Sequence, residues 1–319
     1  MKWLRAMGMG AVALLAMAAS ALAQTCPNQP VRIVVPFSAG SVTDILARVL
    51  SDELSKMWGQ QVIVENRPGV PGTTSVANAP ADGYTLMVTS NGHTVVGVMN
   101  KNLQFDPVKN FSGITQLASV PLAMIVPPDL PANSVGEFIA LAKAKPGTLN
   151  FASPGLGSST FIAGAMFKQA ANIDIVHVAY KGAPEAITSV VRGDAHVYFA
   201  PINVSSELIE AKKVRALATV TPQRVPQLKD VPTFAEAGLP TFTYDSWFGL
   251  MAPANVPTAV REKVSKDAAQ VMQNPEIRKR LEAQGVAVTL NKPAEFDKII
   301  ADDTDRLTKL FRDAGVAVN

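Results

Sequence analysis

The sequence predicts an α/β protein in two lobes, and three observations carry that prediction. Apolar, β-rich runs alternate with helix-periodic segments from Val31 onward, the order that builds parallel sheets with helices on their faces. The chain has 319 residues, and 296 remain once the first 23 are set aside as an export segment, enough for two lobes. Three small-residue turns follow strands, the place where open parallel sheets take ligands.

The export segment comes first. Lys2 and Arg5 form a basic start, Ala11 to Ala19 a short apolar run, and Ala21-Leu22-Ala23 a small-x-small cleavage site, so the mature chain should begin at Gln24. The apolar run is too short to span a bilayer. Cys26 is the one cysteine and has no internal partner. Ala23 and Thr25 fit a lipoprotein signal poorly, so Cys26 reads as an incidental thiol. Without its leader the chain carries 27 basic and 26 acidic residues, a balance that argues against nucleic acid or an anionic membrane surface as the partner.

The remaining elements follow in order. Val31 to Val35 is a strand that stops at Pro36. After the turn Phe37 to Ser41, Ile45, Leu46, Val49, Leu50 and Leu54 recur with helical spacing. Gln61 to Glu65 is a strand closed by Asn66-Arg67-Pro68-Gly69, with a short helix after Gly72. Tyr84 to Thr89 is the next strand. Ile114 to Leu117 and Leu122 to Val126 are extended, split by Pro121. Ser134-Val-Gly-Glu137 is a capping box before a helix that Lys145-Pro146-Gly147 stops. Leu149 to Ala152, Ile175 to Val178, Ala195 to Phe199 and Arg215 to Val220 are strands, and a helix follows Ser153 to Thr160. A Pro-studded connector, Thr221 to Pro240, precedes the extended Phe242 to Met251. Helices start near Pro257, Pro275 and Pro293, with one short strand, Val286 to Leu290.

The chemistry sits in the turns. A strand, a Gly/Ser turn and a helix start make an anion socket, because unpaired amides and the positive end of the helix dipole point into the turn. Phe37-Ser38-Ala39-Gly40-Ser41 is one such turn, and Ser90-Asn91-Gly92-His93-Thr94 ends a strand of the same lobe. Ser153 to Thr160 is the third, with two glycines and four hydroxyls. Sockets facing each other across a cleft suit a small organic acid with a carboxylate at each end. Each turn taken alone also reads as an ordinary helix cap.

Enzyme readings find little support. His93, His177 and His196 are far apart, and the last two fall in strands. No His-Glu-x-x-His, Gly-x-Ser-x-Gly, Walker loop or Cys-x-x-Cys occurs, and Gly155-Leu-Gly157 lacks the third glycine of a dinucleotide site. A Ser/His/Asp triad assembled in space stays open, as does a secreted hydrolase. Neither a metal nor a cofactor is expected.

Read together, these stretches resemble the periplasmic solute receptors of the tripartite tricarboxylate transporters, also called Bug proteins. The resemblance covers essentially the whole mature chain. It rests on Ile33-Val-Val-Pro-Phe-Ser-Ala-Gly-Ser-Val-Thr-Asp-Ile-Leu-Ala-Arg48, Val64-Glu-Asn-Arg-Pro-Gly69, Pro80-Ala-Asp-Gly-Tyr-Thr-Leu86 and Phe105-Asp-Pro107. Val178-Ala-Tyr-Lys-Gly182, Lys213-Val-Arg-Ala-Leu-Ala218, Val231-Pro-Thr-Phe-Ala-Glu-Ala-Gly238 and Ser246-Trp-Phe-Gly-Leu-Met-Ala-Pro253 continue it in order.

The resemblance implies a two-lobe type II periplasmic binding fold with a hinge and an interlobe ligand cleft. Lobe 1 would hold residues 24–120 plus 249–319 and lobe 2 residues 121–248, with crossings near Ser119–Leu122 and Trp247–Leu250. It implies a monomeric receptor in the periplasm, without catalysis, that passes a mono- or dicarboxylate, aromatic acids included, to the membrane components of such a transporter. A sensor subunit for a membrane histidine kinase is the alternative on the same fold. One end of the ligand would meet Phe37, Ser38, Ala39, Gly40, Ser41, Thr89, Ser90, Asn91 and His93, partly through ordered water. The other would meet Ser153, Gly155, Gly157, Ser158, Ser159 and Thr160, with Ala200 and Asn203 at a strand end. Three positions depart from the family pattern. Ser41 stands where a second glycine is usual, Ala200 where many relatives carry an Asp suited to an amino group, and His93 where a small polar residue is common.

Overall fold

The computed structural model describes residues 27–313 apart from 101 and 157. Residues 1–23, expected to be an export segment, and Cys26 and Gly157 lie outside the described residues.

The chain begins one sheet, leaves it to build a second, and returns to the first. It runs β1 Val31–Val35, α1 Val42–Trp58, β2 Val62–Asn66, α2 Val70–Ala77, β3 Thr85–Ser90, a 3-10 turn Asn91–Val95, α3 Val96–Met99 and β4 Phe111–Ser119. The second sheet is made by β5 Leu122–Val126, α4 Val135–Ala144, β6 Asn150–Ser153, α5 Ser159–Ala170, β7 Val176–Ala179, α6 Ala183–Arg192, β8 Val197–Pro201, α7 Ile202–Glu210 and β9 Arg215–Thr219. The return comprises β10 Trp247–Pro253, α8 Thr258–Met272, α9 Pro275–Ala283, β11 Ala287–Val288 and α10 Pro293–Asp313.

The strand orders are β11-β4-β10-β3-β1-β2 and β7-β6-β8-β5-β9. Alternation of strands and helices predicts parallel sheets; each sheet is instead mixed. Pairs β1–β2, β1–β3, β6–β7 and β6–β8 are parallel, whereas β10 and β5 pair antiparallel with their neighbours. The reason is topological. A parallel neighbour needs a helical crossover within its own sheet, but β5 and β10 arrive from the other sheet and enter running the opposite way.

Two extended segments join the sheets side by side. Val120 N–H donates to the Ser246 carbonyl (3.0 Å), and the Ser119 hydroxyl donates to the Asp245 carboxylate. The return crossing thus lies at Tyr244–Ser246, just before the expected Trp247–Leu250. Trp247 and Phe248 already belong to the first sheet.

The apolar periodicity of α1 reports its packing. Leu46, Leu50 and Leu54 are fully buried against Ile33, Val35 and Leu86, each contributing about 1.5–3 kcal/mol. Ser41 caps the start of α1 and Gly59 its end. In the second sheet an aromatic cluster of Phe138, Phe167, Phe199, Phe234 and Phe242 fills the core. α10 spans both cores. Phe296 meets Trp247 in the first (ring centroids 5.1 Å), and Phe311 stacks on Phe161 in the second (6.0 Å). The end of the chain, assigned in sequence to lobe 1 alone, therefore packs on lobe 2 as well.

Candidate ligand-binding site

The first turn is built around a buried carboxylate. Gly40 takes a left-handed backbone (φ 79°), and its N–H donates to Asp44 Oδ2 at 2.9 Å. Asp44 also accepts from Arg48 Nε (3.0 Å) and Asn66 Nδ2 (3.0 Å). Burial alone would raise the Asp44 pKa, but the bonds from Arg48, Gly40 and Asn66 outweigh it and hold the group below its ordinary value. Ser41 Oγ donates to the Ser38 carbonyl (2.8 Å) and accepts the Asp44 N–H (3.3 Å).

The second-lobe turn is tied in the same manner. Ser158 Oγ donates to the Gly155 carbonyl (2.7 Å) and accepts the Phe161 N–H (3.2 Å), capping α5. Ser153 Oγ accepts the Gly155 N–H (3.0 Å) and lies 2.7 Å from His177 Nε2. A third helix, α6, starts at Ala183 behind Gly182.

These three helix starts converge on a cavity of about 30 Å³, room for a carboxylate or two waters and little more. Ser41, Val42 and Thr43 of α1 and Ser158, Ser159 and Thr160 of α5 line it, with Ala183 of α6. The first amides of each helix have no intrahelical acceptor, and the three dipoles add their positive ends there. Tyr198 of β8 completes the wall. It is fully buried, and its hydroxyl makes no hydrogen bond within the described residues. Burial pushes its phenol well above the ordinary range, with Thr160 close by opposing it only weakly, so it remains a donor.

A larger cavity of about 210 Å³ adjoins the first, sharing Phe37 and Pro154 with it. Val70 of α2 and Val96 and Met99 of α3, beside the first sheet, face Pro154, Gly155 and Leu156 from the second. His93 lines this larger space. Its Nε2 sits 2.8 Å from the Pro107 carbonyl, and its ring meets the edge of Phe111 (4.6 Å). Burial drives its pKa down to about 4, which the bond to Pro107 opposes only in part. Among the described residues, no Lys, Arg, Asp or Glu lines either cavity.

The expected site residues fall into three groups. Phe37, Ser41, Ser90, Ser158, Ser159 and Thr160 line the small cavity, and Phe37, Thr89, His93 and Gly155 the larger one. Ser38, Ala39 and Gly40 stand in the turn beside them, where Ser38 presses on Gly182 of the second lobe. Neither cavity is lined by Asn91, Ser153, Ala200 or Asn203. Asn91 Nδ2 donates to the Asp245 carbonyl at the crossing (2.9 Å), and Ala200 is buried in the sheet opposite Ala123. Asn203 holds a buried, unpartnered Oδ1 in the first turn of α7. Gly40 was expected to admit a ligand oxygen to its backbone; Asp44 occupies that amide instead. Tyr198 and Ala183 had no signal in the sequence. Tyr198 reads as one more apolar strand residue, and α6 follows Tyr180-Lys181-Gly182 without a side-chain cap.

Among the described residues, the His177–Ser153 pair is the one hydrogen-bonded contact between a histidine and a serine of the expected site. Ser153 is fully buried and engaged in its own turn. His177 lies between Phe151 (4.9 Å) and Phe161 (4.7 Å), and burial lowers its pKa to about 4. His196, expected in a strand, stands just before β8, where its Nδ1 lies 3.0 Å from Asn150 Oδ1 of β6. Among the described residues no group of three His, Cys, Asp or Glu could hold a metal, and no helix is long and apolar enough to cross a membrane.

Residues 46–316 match the family model described as tripartite tricarboxylate transporter family receptor. The chain is 33% identical over 289 residues to a UPF0065 protein from a tcbD-tcbE intergenic region of Pseudomonas sp., covering 89% of this chain and 86% of that one. It is 30% identical over 309 residues to protein BugT of Bordetella pertussis, covering 95% of each. Among solved structures, the Rhodopseudomonas palustris protein Rpa4515 with adipate superposes with a TM-score of 0.85 at 30% identity, covering 91% of this chain and 98% of that one. MatC of the same organism, with bound malate, gives 0.84 at 28%, covering 89% and 99%.

Proposed function

The chain belongs to the tripartite tricarboxylate transporter receptor family, and on that premise we propose that it captures a small organic carboxylate in the periplasm and delivers it to a membrane transporter of that kind. It is a binding protein of the two-lobe type and not an enzyme. The observation that carries the ligand class is the small cavity, where three helix starts meet beside Tyr198 with no charged side chain among the described lining residues. Partial charges of amides and hydroxyls match a carboxylate without a fixed cation. Each hydrogen bond to the charge contributes about 1.5–3 kcal/mol. Donors come from both sheets, so one ligand ties both lobes and stabilises the closed arrangement. Adipate and malate in the two relatives belong to the same chemical class.

The test is to express the full chain in a Gram-negative host, locate the mature N-terminus, and identify any co-purified acid by mass spectrometry. Gln24 with an unmodified Cys26 is expected. A carboxylate at about a hundredfold over Kd should add roughly 2.7 kcal/mol of apparent stability. Stabilisation by sugars, amino acids or cations alone would overturn the reading.

A further inference from the structure

We propose that the larger cavity is a second compartment of the ligand site, shaped for an uncharged, apolar body about the size of one aromatic ring. The inference rests on the carboxylate reading above and narrows it. The acid group occupies the small cavity, and the ligand is an acid carrying a ring rather than a short dicarboxylate.

Size comes first. The small cavity, about 30 Å³, cannot take more than the head of an acid. The adjoining one measures about 210 Å³, whereas an apolar cavity of about 150 Å³ already holds benzene. Phe37 and Pro154 wall both, so the two lie side by side, and the ligand is placed across them. Chemistry comes second. Val70, Val96, Met99 and Leu156 make the larger space apolar, and the polar groups in it, Thr73, Thr89, His93 and Asn100, are uncharged. His93 commits its Nε2 to the Pro107 carbonyl. A second carboxylate placed here would be buried with no cation among the described lining residues, a costly arrangement. The two helix starts that reach the cavity offer it little, since α2 carries Pro71 in its first turn and α3 is a single turn. An uncharged apolar end therefore suits the larger cavity better than the second carboxylate of a diacid. Placement comes third. Leu156 is 40% exposed at the tip of the second-lobe turn, an apolar side chain held out toward Val70 and Met99 across the cleft. A ring between them would cover it.

Calorimetry on the mature protein tests this with phenylacetate, benzoate, malate, acetate and benzamide, on wild type, Val70→Phe and Leu156→Ala. Each methylene-sized group buried contributes about fourfold in affinity, so a ring acid should bind at least tenfold more tightly than malate or acetate. Val70→Phe fills the compartment and should lower the phenylacetate-to-acetate affinity ratio at least tenfold. Leu156→Ala lies on an exposed tip, does not threaten folding, and should lower the same ratio about threefold. Malate as the tightest ligand, or a ratio untouched by both substitutions, would overturn the compartment and leave the receptor reading standing. No binding of any carboxylate, or benzamide bound as well as benzoate, would overturn the carboxylate reading and the compartment with it.

Discussion

Among the described residues the buried Tyr198 hydroxyl makes no hydrogen bond of good geometry, with Thr160 its polar neighbour, a loss of about 1–3 kcal/mol unless a group in the cavity meets it. Tyr198→Phe should therefore weaken carboxylate binding about 10- to 150-fold while the ligand-free protein melts at the same temperature or higher, as calorimetry and thermal unfolding would show. Unchanged affinity would remove this residue from the site. His93 is legible by the pH dependence of stability. Its pKa is about 4 folded and 6.5 unfolded, so the unfolded chain binds more protons between those values. Stability is complete above pH 6.5 and is lost as pH falls toward 4, on the order of 3 kcal/mol across the window. His177 acts with the same sign. His93→Gln keeps a donor for the Pro107 carbonyl but does not titrate. The difference in urea midpoint between pH 7 and pH 4.5 should shrink accordingly, and an unaltered difference would mean that another group carries the effect.

At the scale of elements, the start of α5 is both a cap and part of the cavity wall. Ser158 uses its hydroxyl on Gly155 and Phe161, so Ser158→Ala should cost about 1 kcal/mol of stability through the lost cap. Ser158→Asp separates the two roles. Aspartate caps as well as serine and suits the dipole, so stability should hold near wild type. Its carboxylate would stand where the ligand's charge is read, so affinity for any acid should fall more than tenfold. Denaturant unfolding with calorimetry distinguishes the two; an Asp variant that binds normally would move the anion away from this helix.

On the scale of the whole molecule, closure depends on contact between lobes. A Cβ on Gly182 would fall 1.6 Å from Ser38 Oγ and 2.8 Å from Ser38 Cβ, so the loops meet only because Gly182 has no side chain. Gly182→Ala should hold the lobes apart, weakening ligand binding at least tenfold with little change in unfolding temperature. Small-angle scattering should show a larger radius of gyration with ligand present. Adding Ser38→Gly should restore affinity. Failure of the double variant to recover would show that the alanine acts within its own loop instead.

Much was legible in the chain because it is local. The strand Val31–Val35 is buried on nearly every residue, as a central parallel strand must be, and its apolar run shows it. The helix after Ser41 follows from spacing and caps, and Ser158 and Ser134 cap helices as their positions imply. The turns at 37–41 and 153–160 were placed at the cleft by the order of strand, turn and helix. What the chain alone could not specify is direction, partner and shape. The antiparallel entry of β5 and β10 depends on which sheet a strand arrives from. Tyr198 lines the small cavity only because α1, α5 and α6 meet in front of it, over a sequence distance of more than a hundred residues. Most site serines turned out to serve their own loops, since a hydroxyl beside a helix start finds the nearest amide first. The two cavities are formed between the two sheets, because each wall is contributed by residues distant in the chain.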